Sequence, residues 1–336
     1  MCSKQNVTLP SQLSAKRNLW LASAVAIAVA LFVAACVPMP MMPEDHYLAS
    51  APQQPVNLIY LRTLDVASLT TNADSERQFM LSGPGNVSAV AVRGNDMWLI
   101  DQSMALLFHV DLALQESRAI ATIRHPGTHG LFIANDNYVY VVDQFSRSVK
   151  QFDSADNLVR TFTHPTLLAA PVDIAVTEFG AQLIVADAMR NHLVVFNLWG
   201  DAVNVLGSDR SNSQIAQSIS AIATAGRRII IVDPLMNEVS GIDLSGNRTE
   251  NYGEDELSLP VSVAADRCGR VYIADGNADG LLVGYPDIFQ PTTRADLGID
   301  NIAGITDLWI DDDRLYVASG DRGITTYLVT PPCPGA

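Results

Sequence analysis

The chain is short of positive charge. Its 336 residues hold 21 Lys and Arg against 36 Asp and Glu, a formal net charge of −15. Phosphate recognition needs clustered cations, and no basic stripe is present, so nucleic acid is excluded as a partner. Cysteine is also scarce, at four residues, and Cys2 and Cys36 lie near the N-terminus, leaving Cys268 and Cys333. The uncharged, mostly apolar run from Leu19 to Ala35 has only 17 residues, marginal for a bilayer span. No Lys-Ser or Lys-Thr follows Gly83-Pro84-Gly85, so that turn is no phosphate loop. What remains is 48% hydrophobic sequence, ample for a large core.

Residues 1–35 read as a secretory signal. Lys4, Lys16 and Arg17 form a positive start, the apolar run follows, and Val33-Ala34-Ala35-Cys36 ends it. A Cys directly after two alanines resembles the bacterial lipoprotein signal. That resemblance implies cleavage before Cys36, a diacylglyceryl thioether on its sulfur and an acyl group (palmitate or similar) on its nitrogen. Several acyl chains make a durable anchor, at about 0.8 kcal/mol per buried methylene. The implied location is the bacterial cell envelope. Val37, where Asp would retain the protein at the inner membrane, points to the outer membrane, facing the periplasm. The other reading is a transmembrane anchor with an incidental Cys. Cleavage removes three cations and no acid, taking the charge from −15 to −18. Anionic headgroups repel such a surface, so the lipid tether is the expected contact with the membrane. Pro38, Pro40, Pro43, Pro52 and Pro55 make residues 36–55 a lipid-anchored, extended linker reaching up to ~60 Å. The alternative is that this segment packs on the folded domain.

From residue 56 to 333 one pattern recurs six times. Its second strand reads Met97–Asp101, Val139–Asp143, Leu183–Asp187, Ile229–Asp233, Val271–Asp275 and Leu315–Ser319, spaced by 42 to 46 residues. A period near 43 residues with about four strands per repeat predicts an all-β fold, a six-bladed β-propeller. Inner strands such as Val87–Val92 and Val172–Val176 are small and apolar, as packing on both faces requires. Turns such as Arg93-Gly94-Asn95-Asp96 suit tight hairpins. Blade six lacks a fourth strand after Val329, and Val56–Leu61 has no other partner. It is expected to close the ring as that blade's outer strand. Cys268 falls in the first hairpin of blade five and Cys333 after the third strand of blade six. These connections share a face of neighbouring blades, so a disulfide is expected, with two unlinked thiols as the alternative.

Pro171-Val172-Asp173-Ile174-Ala175-Val176, then Val185-Ala186-Asp187, Asn191 and Val195-Phe196, resemble the NHL repeat, and Pro260 to Asp275 fits as well. Blades one and four lack the Pro, and blade six replaces the Asp with Ser319. The resemblance implies the propeller fold and no particular activity. The repeated Asp is expected to cap the turn after its strand by accepting amide hydrogens.

Counting back from each strand end places Ser88, His129, Asp173, Ser220, Ser262 and Asp307 around one mouth of the channel. Converging His and carboxylates is how six-bladed lactonases and lyases hold a catalytic divalent metal. Three serines are poor ligands, Asp307 lies nearly across the ring from His129 and Asp173, and the Glu and Asn set of propeller lactonases is missing. His109, His125, His164 and His192 are scattered. No catalytic or metal residue is therefore assigned. The competing expectation is that the ring ties neighbouring blades together. Asp311-Asp312-Asp313 reads as a solvated hairpin turn, and Asp275–Gly280 as a loop that could ligate calcium or simply turn the chain.

Loops after the second strands carry Met104, Leu106, Phe145, Arg147, Met189, Arg190, Leu235 and Met236, the composition of a protein interface. Two functions stay open. One is a non-catalytic envelope scaffold, without cofactor, that binds a protein or ligand. The other is a metal-dependent lyase or lactonase working at the channel mouth.

Overall fold

Val, Ile and Ala dominate the inner strands because these strands are covered on both sides. A computed structural model of the protein describes residues 56–71, 85–124, 129–177, 182–207, 214–253, 255–276, 281–285, 293–295 and 304–333. The signal and linker segments, Cys36, His125 and most of the Asp275–Gly280 loop lie outside the described residues. Among the described residues no helix is long and apolar enough to cross a membrane.

Six antiparallel sheets follow one another as blades. Blade one runs Val87–Arg93, Asp96–Asp101, Leu106–Asp111 and Glu116–Thr122, with Thr70–Thr71 added in parallel on its outer edge. Blade two is Leu131–Ile133, Val139–Asp143, Ser148–Phe152 and Leu158–Thr163. Blade three is Pro171–Val176, Gln182–Asp187, His192–Asn197 and Ala202–Leu206. Blade four is Ala221–Ala225, Arg228–Asp233, Glu238–Asp243 and Arg248–Tyr252. Blade five is Pro260–Ala265, Val271–Asp275, Leu281–Gly284 and Thr293–Ala295. Blade six takes Asp307–Asp311, Arg314–Ala318 and Ile324–Thr330 from the C-terminal end and Asn57–Leu64 as its outer strand. That strand pairs antiparallel with Ile324–Thr330, Asn57 opposite Thr330, and closes the ring.

The core is divided as the blades are. Each pair of neighbours shares one hydrophobic cluster, giving six clusters. Between blades two and three, Tyr140, Phe162 and Phe196 pack with their ring centroids about 6 Å apart. Burial of this kind contributes roughly 1.5–3 kcal/mol per large side chain. No blade could cover its faces alone, so each needs both neighbours.

Candidate functional site

The inner strand of each blade has an edge facing the channel with no strand to pair it, so its amides need other acceptors. Asp173 Oδ1 accepts from Gly130 N at 2.9 Å and Ile174 N at 2.8 Å, and its Oδ2 from Ile222 N at 2.7 Å. One carboxylate thus ties blades two, three and four. Asp307, on the opposite side, accepts from Val90 N at 3.0 Å and from Ser262 Oγ at 3.0 Å. Ser262 Oγ in turn accepts from Leu308 N at 3.1 Å. Blades five, six and one are tied in the same way.

His129 joins the two halves. Its Nδ1 lies 2.8 Å from Asp307 Oδ1, and a further hydrogen bond runs to the Val261 backbone. The side chain therefore reaches from blade two to blades five and six. This corrects the expectation that Asp307 stands apart from His129. The channel is narrow enough at this level for one imidazole to cross it. His129 adopts φ 79° and Gly130 φ 85°, so blade two's strand begins only at Leu131. A positive φ is costly for a residue with a side chain, and the paired imidazole offsets that strain.

The ring also has two tiers rather than one. Asp173, Ser262 and Asp307 pair with Ala186, Ala274 and Ala318. Ser88 sits in the irregularity between Val87 and Ala89, one position earlier, and Ser220 precedes Ala221, which pairs with Val232. The entries of blades one, three and five each carry a bulge that sets two residues against one, which a count along the sequence does not see. Ser88 Oγ donates to Ile100 O at 3.3 Å, and Ser220 Oγ is buried without a partner.

Burial pushes the Asp173 carboxyl up to about 6, against the opposing pull of the His129 charge and the Ile222 amide. His129 is raised too. Burial opposes its charge, but the hydrogen bond and charge of Asp307, with Asp173 nearby, outweigh it. Divalent metal fits this set poorly. Asp173 serves three amides, both carboxylates are committed, and a cation would displace the imidazole from Asp307.

The strand-end aspartates do a different task. Asp101 Oδ2 accepts from Gly85 N at 2.6 Å and Asn86 N at 3.0 Å, while Oδ1 accepts from Met104 N at 2.8 Å. Asp187 and Asp233 likewise bind both the turn that follows and the connection that precedes the inner strand. Each caps two segments where the sequence suggested one. Ser319 is too short for this, and its Oγ is buried without a partner.

Cys268 and Cys333 are joined, with Cα atoms 5.7 Å apart. Asp266 lies beside them but is held by Arg270 and Tyr272. With both sulfurs bonded to each other, that cluster is no metal site. The remaining described histidines have local partners. His109 lies between Asp156 and Asp96 and stacks on Trp98, His164 accepts from Leu167 N, and His192 faces Leu167 O.

Of the loop residues, Met104 and Leu106 are half-buried and pack against the core between blades six and one. Phe145 and Met189 are 73% and 72% exposed, and Leu235 and Met236 are exposed as well. They occupy the same turn of blades two, three and four, on the face where the hub lies. Arg124 sits 4.7 Å from the Phe145 ring centroid, and Arg147 and Arg190 flank the row.

A cavity of about 660 Å³ opens at the opposite end of the channel. All six blades line it through their inner strands and first hairpins, and Asp173 and Asp307 reach its inner end. In the sequence this mouth is inconspicuous, because its turns look like ordinary solvated hairpins. The available signal was the planar polar side chain recurring there in Arg93, Asn135 and Arg267.

No family model matches the chain, and no curated protein matches it in sequence, so the NHL-type repeats rest on their residues alone. Solved structures match its fold. A virginiamycin B lyase from Staphylococcus aureus aligns with a TM-score of 0.56 at 10% identity, over 82% of this chain and 99% of that one. A protein of unknown function from Bacteroides thetaiotaomicron aligns with a TM-score of 0.59 at 15% identity, over 82% and 76%. Hydrazine synthase from Kuenenia stuttgartiensis gives 0.51 at 12%, over 77% and 99%. At these identities the likeness is one of architecture, and the chain is a six-bladed β-propeller with structural neighbours of the virginiamycin B lyase type.

Proposed function

We propose that this protein is an envelope lipoprotein, anchored through Cys36 in the outer membrane, whose propeller is a non-catalytic platform for another envelope protein. The observation that carries the docking role is the row of Phe145, Met189, Leu235 and Met236, exposed on equivalent turns of three consecutive blades. Apolar tips flanked by arginines are the composition of a protein interface, and a closed ring holds them rigidly. The acidic body speaks against the bilayer as the surface they meet. A photo-crosslinker placed at Met189 in intact cells tests the reading. A discrete crosslinked species that disappears in Phe145→Ser/Leu235→Ser is expected. A pattern unchanged by that double variant rejects the docking role. Labelling with a palmitate analogue, lost in Cys36→Ser, tests the anchor.

The second reading is a metal-dependent lyase or lactonase. The His129–Asp307 pair on the channel axis and the lyase-type fold favour it. The commitments of Asp173, Asp307 and His129 to other blades weigh against it. Near-stoichiometric divalent metal in the purified protein, lost in His129→Ala, would revive it.

A further inference from the structure

The two sulfurs of the Cys268–Cys333 bond have different surroundings. Cys268 is partly exposed on the first hairpin of blade five, whereas Cys333, just past the third strand of blade six, is 6% exposed. Arg270 is buried beside them. Its Nε donates to Asp266 Oδ2 at 2.5 Å, its Nη1 to Pro331 O at 2.8 Å and its Nη2 to Cys333 Sγ at 3.4 Å. A disulfide sulfur is a weak acceptor, so one arm of a buried cation has a poor partner while the bond is intact. A thiolate on Cys333 would be a strong, charge-assisted partner for the same arm. Asp266 lies near both sulfurs, and its charge opposes that thiolate. Four donors already surround its oxygens, namely the amides of Cys268 and Arg270, Arg270 Nε and the Tyr272 hydroxyl.

We propose that this bond is a reducible latch, opened in the folded protein by a dithiol reductant at one defined sulfur. A reductant thiolate attacks the more accessible Cys268 Sγ. The S–S bond breaks, and its electron pair leaves on Cys333 Sγ, where Arg270 Nη2 holds the charge. A leaving thiolate stabilised in this way departs faster. The second thiol of the reductant then attacks its own sulfur in the mixed disulfide and releases Cys268. The dithiol gives two electrons and two protons and becomes a cyclic disulfide. Cys268 takes one proton, and the other stays in solvent while Cys333 is a thiolate. The position of the latch gives it a consequence for the ring. Thr330 pairs with Asn57 in the closing strand, and the three residues after it carry that end of blade six to blade five. Reduction frees that end. The proposal depends on neither the docking row nor the lipid anchor.

Glutathione, a monothiol that when sampled early stops at the mixed disulfide, maps the attack on the detergent-solubilised full chain. The reaction is quenched with iodoacetamide and the adducts are located by peptide mass. Glutathione is expected on Cys268 in about tenfold excess over Cys333, with the alkyl label on Cys333. Dithiothreitol should open the bond without denaturant, and about tenfold more slowly in Arg270→Lys, which keeps the charge but loses the Nη2 donor. Hydrogen exchange at Ile324–Thr330 should rise when the unaltered protein is reduced. The proposal is overturned if the bond opens only in denaturant, if glutathione is not enriched on Cys268, or if exchange at Ile324–Thr330 is the same in both redox states. The adduct map needs no variant, so it decides even where Arg270→Lys does not fold. Folded Arg270→Lys protein reduced at the wild-type rate overturns the proposal as well.

Discussion

Two sets of buried aspartates hold this ring, and they differ in reach. The strand-end set, Asp101, Asp187 and Asp233, binds backbone within its own blade and the connection leading into it. The hub pair, Asp173 and Asp307, binds across blades, and His129 extends that reach over the channel. The first set solves a problem each repeat poses again. The second solves one that exists only after the ring has closed. A repeat protein can therefore reuse one device for its blades and still need unrepeated residues at its axis.

Breaking the hub should have the largest effect. Asp307→Ala leaves Val90 N, Ser262 and a buried imidazole without their acceptor, and the expected loss is about 4 kcal/mol in thermal or urea unfolding. A loss no larger than that from an exposed Asp would erase the distinction between the sets. Removing the covalent link is next. Cys268→Ser/Cys333→Ser should cost about 3 kcal/mol, because the bond closes a long loop between blades five and six. Asp187→Ala should cost about 2 kcal/mol, since the amides it frees at Ala169, Ala170 and Arg190 are near enough to the surface to meet water.

The smallest effect is on pH dependence, and it has opposite signs at Asp173 and at Asp101. Asp173 titrates near 6 in the fold against an ordinary 3.8. Its folded form binds the proton more tightly, so its contribution is full below 3.8 and is lost as pH rises through about 6. His129, also raised, contributes below 6.5 and loses that as pH climbs through its folded value. Asp101 is lowered. Burial alone would raise it, but Ser103 and the amides of Asn86, Met104 and Gly85 outweigh that. Its contribution is present above 3.8 and is lost as pH falls through the folded value. Asp173→Asn should therefore flatten the decline in stability between 3.8 and about 6. Asp101→Asn should flatten only the acid limb. Equal slopes in both variants would contradict the comparison.

The same contrast explains what could be read from the sequence. The strand-end Asp, the blade period and the closing strand Asn57–Leu64 were legible because periodic demands leave periodic residues. The hub residues were named, but their arrangement was not. Bulges at the strand entries of blades one, three and five shift the register there, and the sequence carries no measure of channel width. That His129 reaches Val261 depends on that width. Met104 and Leu106 resemble their counterparts Phe145 and Met189 in the sequence, yet they pack against the core between blades six and one. The cavity mouth was hidden because a solvated hairpin and a pocket-lining hairpin use the same residues.

We propose that the hub is a structural tie rather than a catalytic metal centre. The most direct measurement is the melting temperature of the full chain with and without chelator, paired with elemental analysis of wild type and His129→Ala. Chelator is expected to leave the melting temperature unchanged while His129→Ala lowers it, with no stoichiometric metal in either protein. Stoichiometric divalent metal that chelator strips, with a fall in melting temperature matching that of His129→Ala, would contradict it.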